Sequence, residues 1–200
     1  MATMKFVKII IAVCALTDCR IAAYAAKLLY KLPDGSVHHK ELSFAMHDCT
    51  GNQAVLYGAA AALNALKYPC RVEIITPVNY LAHNQQFTSK WREHAIPDET
   101  GRLVWQKTTE VKETQDDGTE VIKTRNLGPI ANQELWEKLL ESYGEHQVTY
   151  MYARGTSPDL TKVADLARAA AFKLKNEARR TITRTKQEGN GSADDVLPPW

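Results

Sequence analysis

Seven cations, Arg168, Lys173, Lys175, Arg179, Arg180, Arg184 and Lys186, meet a single acid, Glu177, over 19 residues near the end of the chain. A run of that density suits contact with phosphate. It suits equally a solvated helix end whose cations complement the macrodipole. Metal chemistry has less to draw on. Cys14, Cys19, Cys49 and Cys70 form no C-x-x-C pair and have no histidine at finger-like spacing, which argues against a zinc module and for reduced thiols in a cytoplasmic protein. His38, His39 and His47 read as exposed strand and loop residues, because no carboxylate or cysteine spacing supports them as ligands.

The elements that must position these groups are set by composition and periodicity. A chain of 200 residues with 44% hydrophobic content can bury one sizeable core, read here as a domain over residues 1–186. With 25 Lys and Arg against 23 Asp and Glu the net charge is +2, so any basic surface is local. No segment reaches the ~18 apolar residues of a membrane span, and no membrane partner is expected. Lys5 and Lys8 before the apolar run from Ile9 to Leu16 have the look of a secretory signal. The run is short and β-branched, however, and Asp18 and Arg20 break the apolar character just after it, so a strand over 5–16 is the reading adopted. Strands over 22–32 and 36–46 are joined at Pro33-Asp34-Gly35-Ser36.

Small and apolar residues from Asn52 to Lys67 predict a buried helix, Arg71 to Thr76 a strand, and Asn79 to His94 a helix with Tyr80, Phe87 and Trp91 on one side. Residues 97–128 are polar, with Leu103 to Lys112 and Thr119 to Thr124 flanking Asp116-Asp117-Gly118, and read as an inserted hairpin. Gly128-Pro129 breaks the chain before a helix from Asn132 to Tyr143; Gln147 to Ala153 alternates as a strand, and Pro158 to about Arg184 is a long helix. Residues 187–200, rich in Gly, Asp and Pro, are expected to form a disordered tail.

Four segments on this pattern carry a family resemblance. Thr50-Gly51-Asn52-Gln53-Ala54-Val55-Leu56, Ile75-Thr76-Pro77-Val78-Asn79-Tyr80, Asn132-Gln133-Glu134-Leu135-Trp136 and Ala164-Asp165-Leu166-Ala167-Arg168-Ala169-Ala170 resemble ribonuclease H in order and spacing. The likeness runs from residue 5 to about residue 172, and the whole is similar to ribonuclease H-like proteins of Gram-positive bacteria and their mobile elements. It implies an α/β ribonuclease H-like fold, a mixed five-stranded sheet with helices on both faces and the hairpin inserted.

Members of that family cleave the RNA strand of an RNA–DNA hybrid with two magnesium ions held by four carboxylates. Two metals about 4 Å apart activate the water and stabilise the leaving oxygen, and shared carboxylates offset their charge. Carried over position by position, the carboxylates fall on Ala12, Val55, Pro77 and Asp165; the first three have no ligating atom. A shortened turn would instead bring Asp18 to the place of Ala12. The family's loop histidine is replaced in Arg154-Gly155-Thr156-Ser157. The resemblance also places minor-groove contacts on Asn52, Gln53 and Asn79, and a basic substrate-handling region on the helix bearing Phe87, Lys90, Trp91 and Arg92. Asn52 reads equally as a helix cap, and Phe87 and Trp91 as packing residues.

The expectation is therefore a catalytically impaired ribonuclease H-like protein that binds a hybrid or duplex through Asn52, Gln53, Asn79, Lys90, Arg92, Arg179, Arg180 and Arg184. Asp165 is its one catalytic remnant, and no cofactor is expected unless catalysis survives with magnesium. Two alternatives stay open. One is a protein-interaction or structural subunit docking through the 97–128 hairpin or the tail, whose last residues run from Asp194 to Trp200; the other is an active nuclease with carboxylates relocated to Asp18, Asp48 and Asp165.

Overall fold

The computed structural model describes residues 4–115 and 119–190, with side chains as far as Thr181. β1 (Lys5–Leu16), β2 (Ile21–Lys31) and β3 (Val37–His47) form an antiparallel meander. In its second turn Asp34 Oδ1 accepts from the Ser36 N–H at 2.9 Å while Gly35 takes φ +86°, which an L side chain would oppose. α1 (Gly51–Asn64) leads to β4 (Cys70–Thr76), which pairs parallel with β1. Next come α2 (Asn79–Asn84), α3 (Thr88–Glu93), the short strands β5 (Ile96–Pro97) and β6 (Leu103–Val104), and the hairpin of β7 (Gln106–Thr114) and β8 (Glu120–Pro129). α4 (Gln133–Glu141), β9 (Gln147–Tyr152) and α5 (Pro158–Asn190) complete the order. β9 lies parallel to β4, giving a mixed five-stranded sheet ordered β3-β2-β1-β4-β9, with the β7–β8 ribbon separate from it.

Several boundaries differ from the sequence reading. Residues 79–94 are not one helix: a 3₁₀ turn at Gln85–Phe87 separates α2 from α3, and there the Thr88 hydroxyl donates to the Gln85 carbonyl at 2.9 Å, a local bond that competes with helix continuation. The hairpin lies later than expected. β8 runs on to Gly128-Pro129, where Pro129 pairs opposite Gln106, because a proline is tolerated at the end of an edge strand. α5 continues to Asn190, so residues 187–190, assigned to a disordered tail, are helical; Lys186, Gln187 and Glu188 are strong helix formers. The remainder of that tail, 191–200, and the turn at Asp116-Asp117-Gly118 lie outside the described residues.

Side-chain alternation divides the sheet between two helical layers. Ile9 and Ile11 turn to one face and pack with Val55, Leu56, Ala59 and Leu63 of α1 and with Trp136 and Leu139 of α4. Ile10 and Ala12 turn to the other and pack with Leu160, Val163 and Ala167 of α5. Three ion pairs then set the direction of α5: Asp159 with Lys27 at 2.6 Å, Lys162 with Glu41 at 2.7 Å, and Lys175 with Asp18 at 2.6 Å. The helix therefore runs from the level of Lys27 to the β1–β2 turn. Its remaining residues, 176 to 190, continue past the end of the sheet, by about 22 Å at 1.5 Å per residue.

Candidate nucleic-acid interface

The first turn of α1 is built by Thr50. The Gln53 N–H donates to Thr50 Oγ1 at 3.3 Å and the Thr50 N–H donates to Gln53 Oε1 at 2.9 Å, a reciprocal capping box. The cap is thus Thr50 and not Asn52. Asn52 is exposed and its amide has no hydrogen-bond partner among the described residues, whereas the carbonyl end of Gln53 is used by the cap. A Cβ on Gly51 would lie 3.6 Å from that of Ala15, so this helix start sits beside the last residues of β1. Asn79, exposed at the start of α2, comes just after the end of β4. Because β4 is parallel to β1, Asn52 and Asn79 share one end of the sheet, the same end past which α5 projects.

The α2–α3 segment is less available. Lys90 Nζ lies 2.7 Å from Glu110 on β7, and the Arg92 guanidinium sits 5.8 Å from the ring centre of Trp105. Trp91 is buried and meets Trp136 edge-on at 5.8 Å, so it packs, while Phe87 lies partly exposed beside it at 6.4 Å. Arg180 is exposed on α5; Arg179 is exposed and engaged, and Arg184 belongs to the helix, with its side chain outside the described residues.

The positions to which the resemblance assigns carboxylates lie in different surroundings. Ala12 is buried against α5, and Val55 is fully buried in the cluster on the opposite face. Pro77 is exposed just beyond β4. The Asp165 side chain is 60% exposed and pairs with Arg168 at 2.7 Å. Its neighbours Ala164 and Leu166 pack against the cluster that holds Ala12, Leu160, Val163 and Ala167. A signal for this exists in the sequence, since Leu160, Val163, Ala167 and Ala171 mark the inner stripe of the helix and leave position 165 outside it. The relocated set fares no better. The Lys175 ammonium bonds Asp18 and holds its carboxyl below the usual carboxylate range, and Asp48 faces Arg20 at 3.3 Å.

Comparison with known proteins bears on the descent of this arrangement. The ribonuclease H of Acidiphilium cryptum is 31% identical over 146 residues, covering 72% of this chain and 76% of that protein. The ribonuclease H of Symbiobacterium thermophilum is 32% identical over 149 residues, covering 74% and 82%. The chain belongs to the ribonuclease H family. No family model matches it. A crystallised type 1 ribonuclease H with the type 2 active-site motif has the same fold, with a TM-score of 0.64 at 15% identity over 86% of this chain and 75% of that one. The magnesium pair implied by the ribonuclease H family does not fit the residues of this member. Ala12, Val55 and Pro77 offer no side-chain oxygen, Asp165 is exposed and paired with Arg168, and among the described residues no group of three or more His, Cys, Asp or Glu side chains is placed to hold a metal.

Proposed function

We propose that this ribonuclease H binds an RNA–DNA hybrid or nucleic-acid duplex without cleaving it. One observation carries the reading: apolar side chains stand at Ala12, Val55 and Pro77, and Asp165 is exposed and paired with Arg168, so nothing there can gather two divalent cations and lower the pKa of a water. The exposed amides of Asn52 and Asn79 remain at the sheet end, with donors and acceptors suited to base edges and 2′-hydroxyls. The four free cysteines accord with a cytoplasmic location. One feature favours the scaffold alternative, namely the exposure of Ile122 (60%) and Leu127 (51%) on β8.

If no metal bridges protein and phosphate, hybrid affinity is not raised by divalent cations. Fluorescence anisotropy with a labelled hybrid in EDTA and in magnesium, at matched ionic strength, is expected to give a dissociation constant in magnesium no lower than that in EDTA. Tightening by about tenfold in magnesium, or 1.4 kcal/mol, would contradict the reading.

A further inference from the structure

We infer that the distal part of α5, residues 173–190, is an arm that grips the phosphate backbone of a bound nucleic acid. This rests on the nucleic-acid reading above and names the surface that supplies most of the salt-sensitive affinity. The cations here have two explanations in the sequence, phosphate contact or compensation of the helix dipole. The dipole acts within the last turn of a helix. α5 ends at Asn190 and its last turn holds no basic residue, so Arg179, Arg180 and Arg184 stand too far upstream to serve the dipole.

Their placement suits a polyanion. Lys173 and Arg180, seven residues apart, share an exposed side of α5 distinct from the one that carries the buried Val163, Ala167 and Ala171, and position 184 follows about one helical turn further along the chain. The three positions span about 16 Å, close to five base-pair steps at 3.4 Å each. Lys173 and Arg180 are exposed and make no ion pair among the described residues. The Lys175–Asp18 bond at 2.6 Å pins the helix where the sheet ends, so the arm extends from the end that carries Asn52 and Asn79. Lys90 and Arg92 are already engaged by Glu110 and Trp105, which leaves the α2–α3 segment little free charge for phosphate.

The test compares two variants of the full chain, Lys173→Gln/Arg180→Gln/Arg184→Gln and Lys90→Gln/Arg92→Gln, by anisotropy with a labelled hybrid, a DNA duplex and a single strand across a potassium chloride series. Glutamine is a good helix former, and circular dichroism checks that the helix persists. Each lost phosphate contact lowers the slope of log affinity against log salt by about 0.7 to 0.9, so the arm variant is expected to lose about two units, uniformly across sequences. The Lys90/Arg92 variant should keep the wild-type slope. An arm variant with the wild-type slope and affinity overturns the arm and leaves nucleic-acid binding intact. Wild-type protein with no salt-sensitive affinity for any of the three ligands overturns the nucleic-acid reading itself.

Discussion

Val55→Glu, the substitution that restores the helix carboxylate of the family, is expected to destabilise the protein by about 4 kcal/mol or more at neutral pH. Val55 is fully buried in an apolar cluster with Ile9, Ile11, Leu56 and Ala59. The variant loses valine burial, crowds a close-packed interior and leaves a carboxyl group unpaired, and buried groups of this kind each cost on the order of 1–3 kcal/mol. A loss of that size is a large fraction of the roughly 5–15 kcal/mol that holds a domain folded.

The pH dependence has a definite sign. Burial raises the folded-state pKa of the new glutamate above its unfolded value of about 4.3, so between those two values the folded state holds the extra proton. Stability relative to wild type therefore falls as pH rises through that window, by about 1.4 kcal/mol per unit, and is recovered towards acid. Urea denaturation at several pH values reads this directly. Magnesium is expected to give no rescue, because Ala12 and Pro77 have no oxygen in their side chains and Asp165 is exposed and paired with Arg168. A variant as stable as wild type at pH 7, or one restored by millimolar magnesium, would mean that position 55 still opens onto a cation site.

Trp136→Ala is expected to cost about 3–5 kcal/mol, the range for removing a large aromatic from a core. Trp136 is fully buried, and its Nε1–H donates to the Tyr80 hydroxyl at 3.1 Å. That hydroxyl also accepts from Asn132 Nδ2 at 3.3 Å and donates to the Ala131 carbonyl at 3.0 Å, so it ties α2 to the start of α4. The indole edge further meets Trp91 of α3 at 5.8 Å. Truncation opens a cavity at the meeting point of three helices. Because Asn79 directly precedes Tyr80, hybrid affinity should fall in the same variant. A shift in the denaturation free energy below about 1 kcal/mol would show that this junction relaxes around the loss.

Short-range periodicity decides how much of the fold is legible in the sequence. β1 is read at both ends because its apolar run is bounded by Lys5 and by the polar turn after Leu16, and the β2–β3 turn because Asp34-Gly35 has one favoured geometry. Asn52 and Thr50 are both favoured caps two residues apart, and only the reciprocal bond to Gln53 distinguishes them. Asp165 stands inside a stretch that matches the family by letter. Its orientation depends on helical phase, where one residue turns a side chain by about 100°. The end of α5 escapes a reading that weighs the Gly and Pro of the last residues against the helix formers before them. Ion pairs such as Lys90–Glu110 and Lys175–Asp18 join residues far apart in the chain, and no local pattern announces them.

Binding without cleavage is read out by incubating the protein with an end-labelled RNA–DNA hybrid in magnesium or manganese. Samples are divided between a native gel and a denaturing gel. Metal ions supply several kcal/mol of transition-state stabilisation in such reactions, and each 1.4 kcal/mol is tenfold in rate, so their loss removes activity by orders of magnitude. The hybrid is predicted to shift on the native gel and to remain full length on the denaturing gel over a period in which an active ribonuclease H converts it completely. Cleavage well above that of a mock-purified preparation, whether or not Asp165→Asn abolishes it, would overturn the non-cleaving reading.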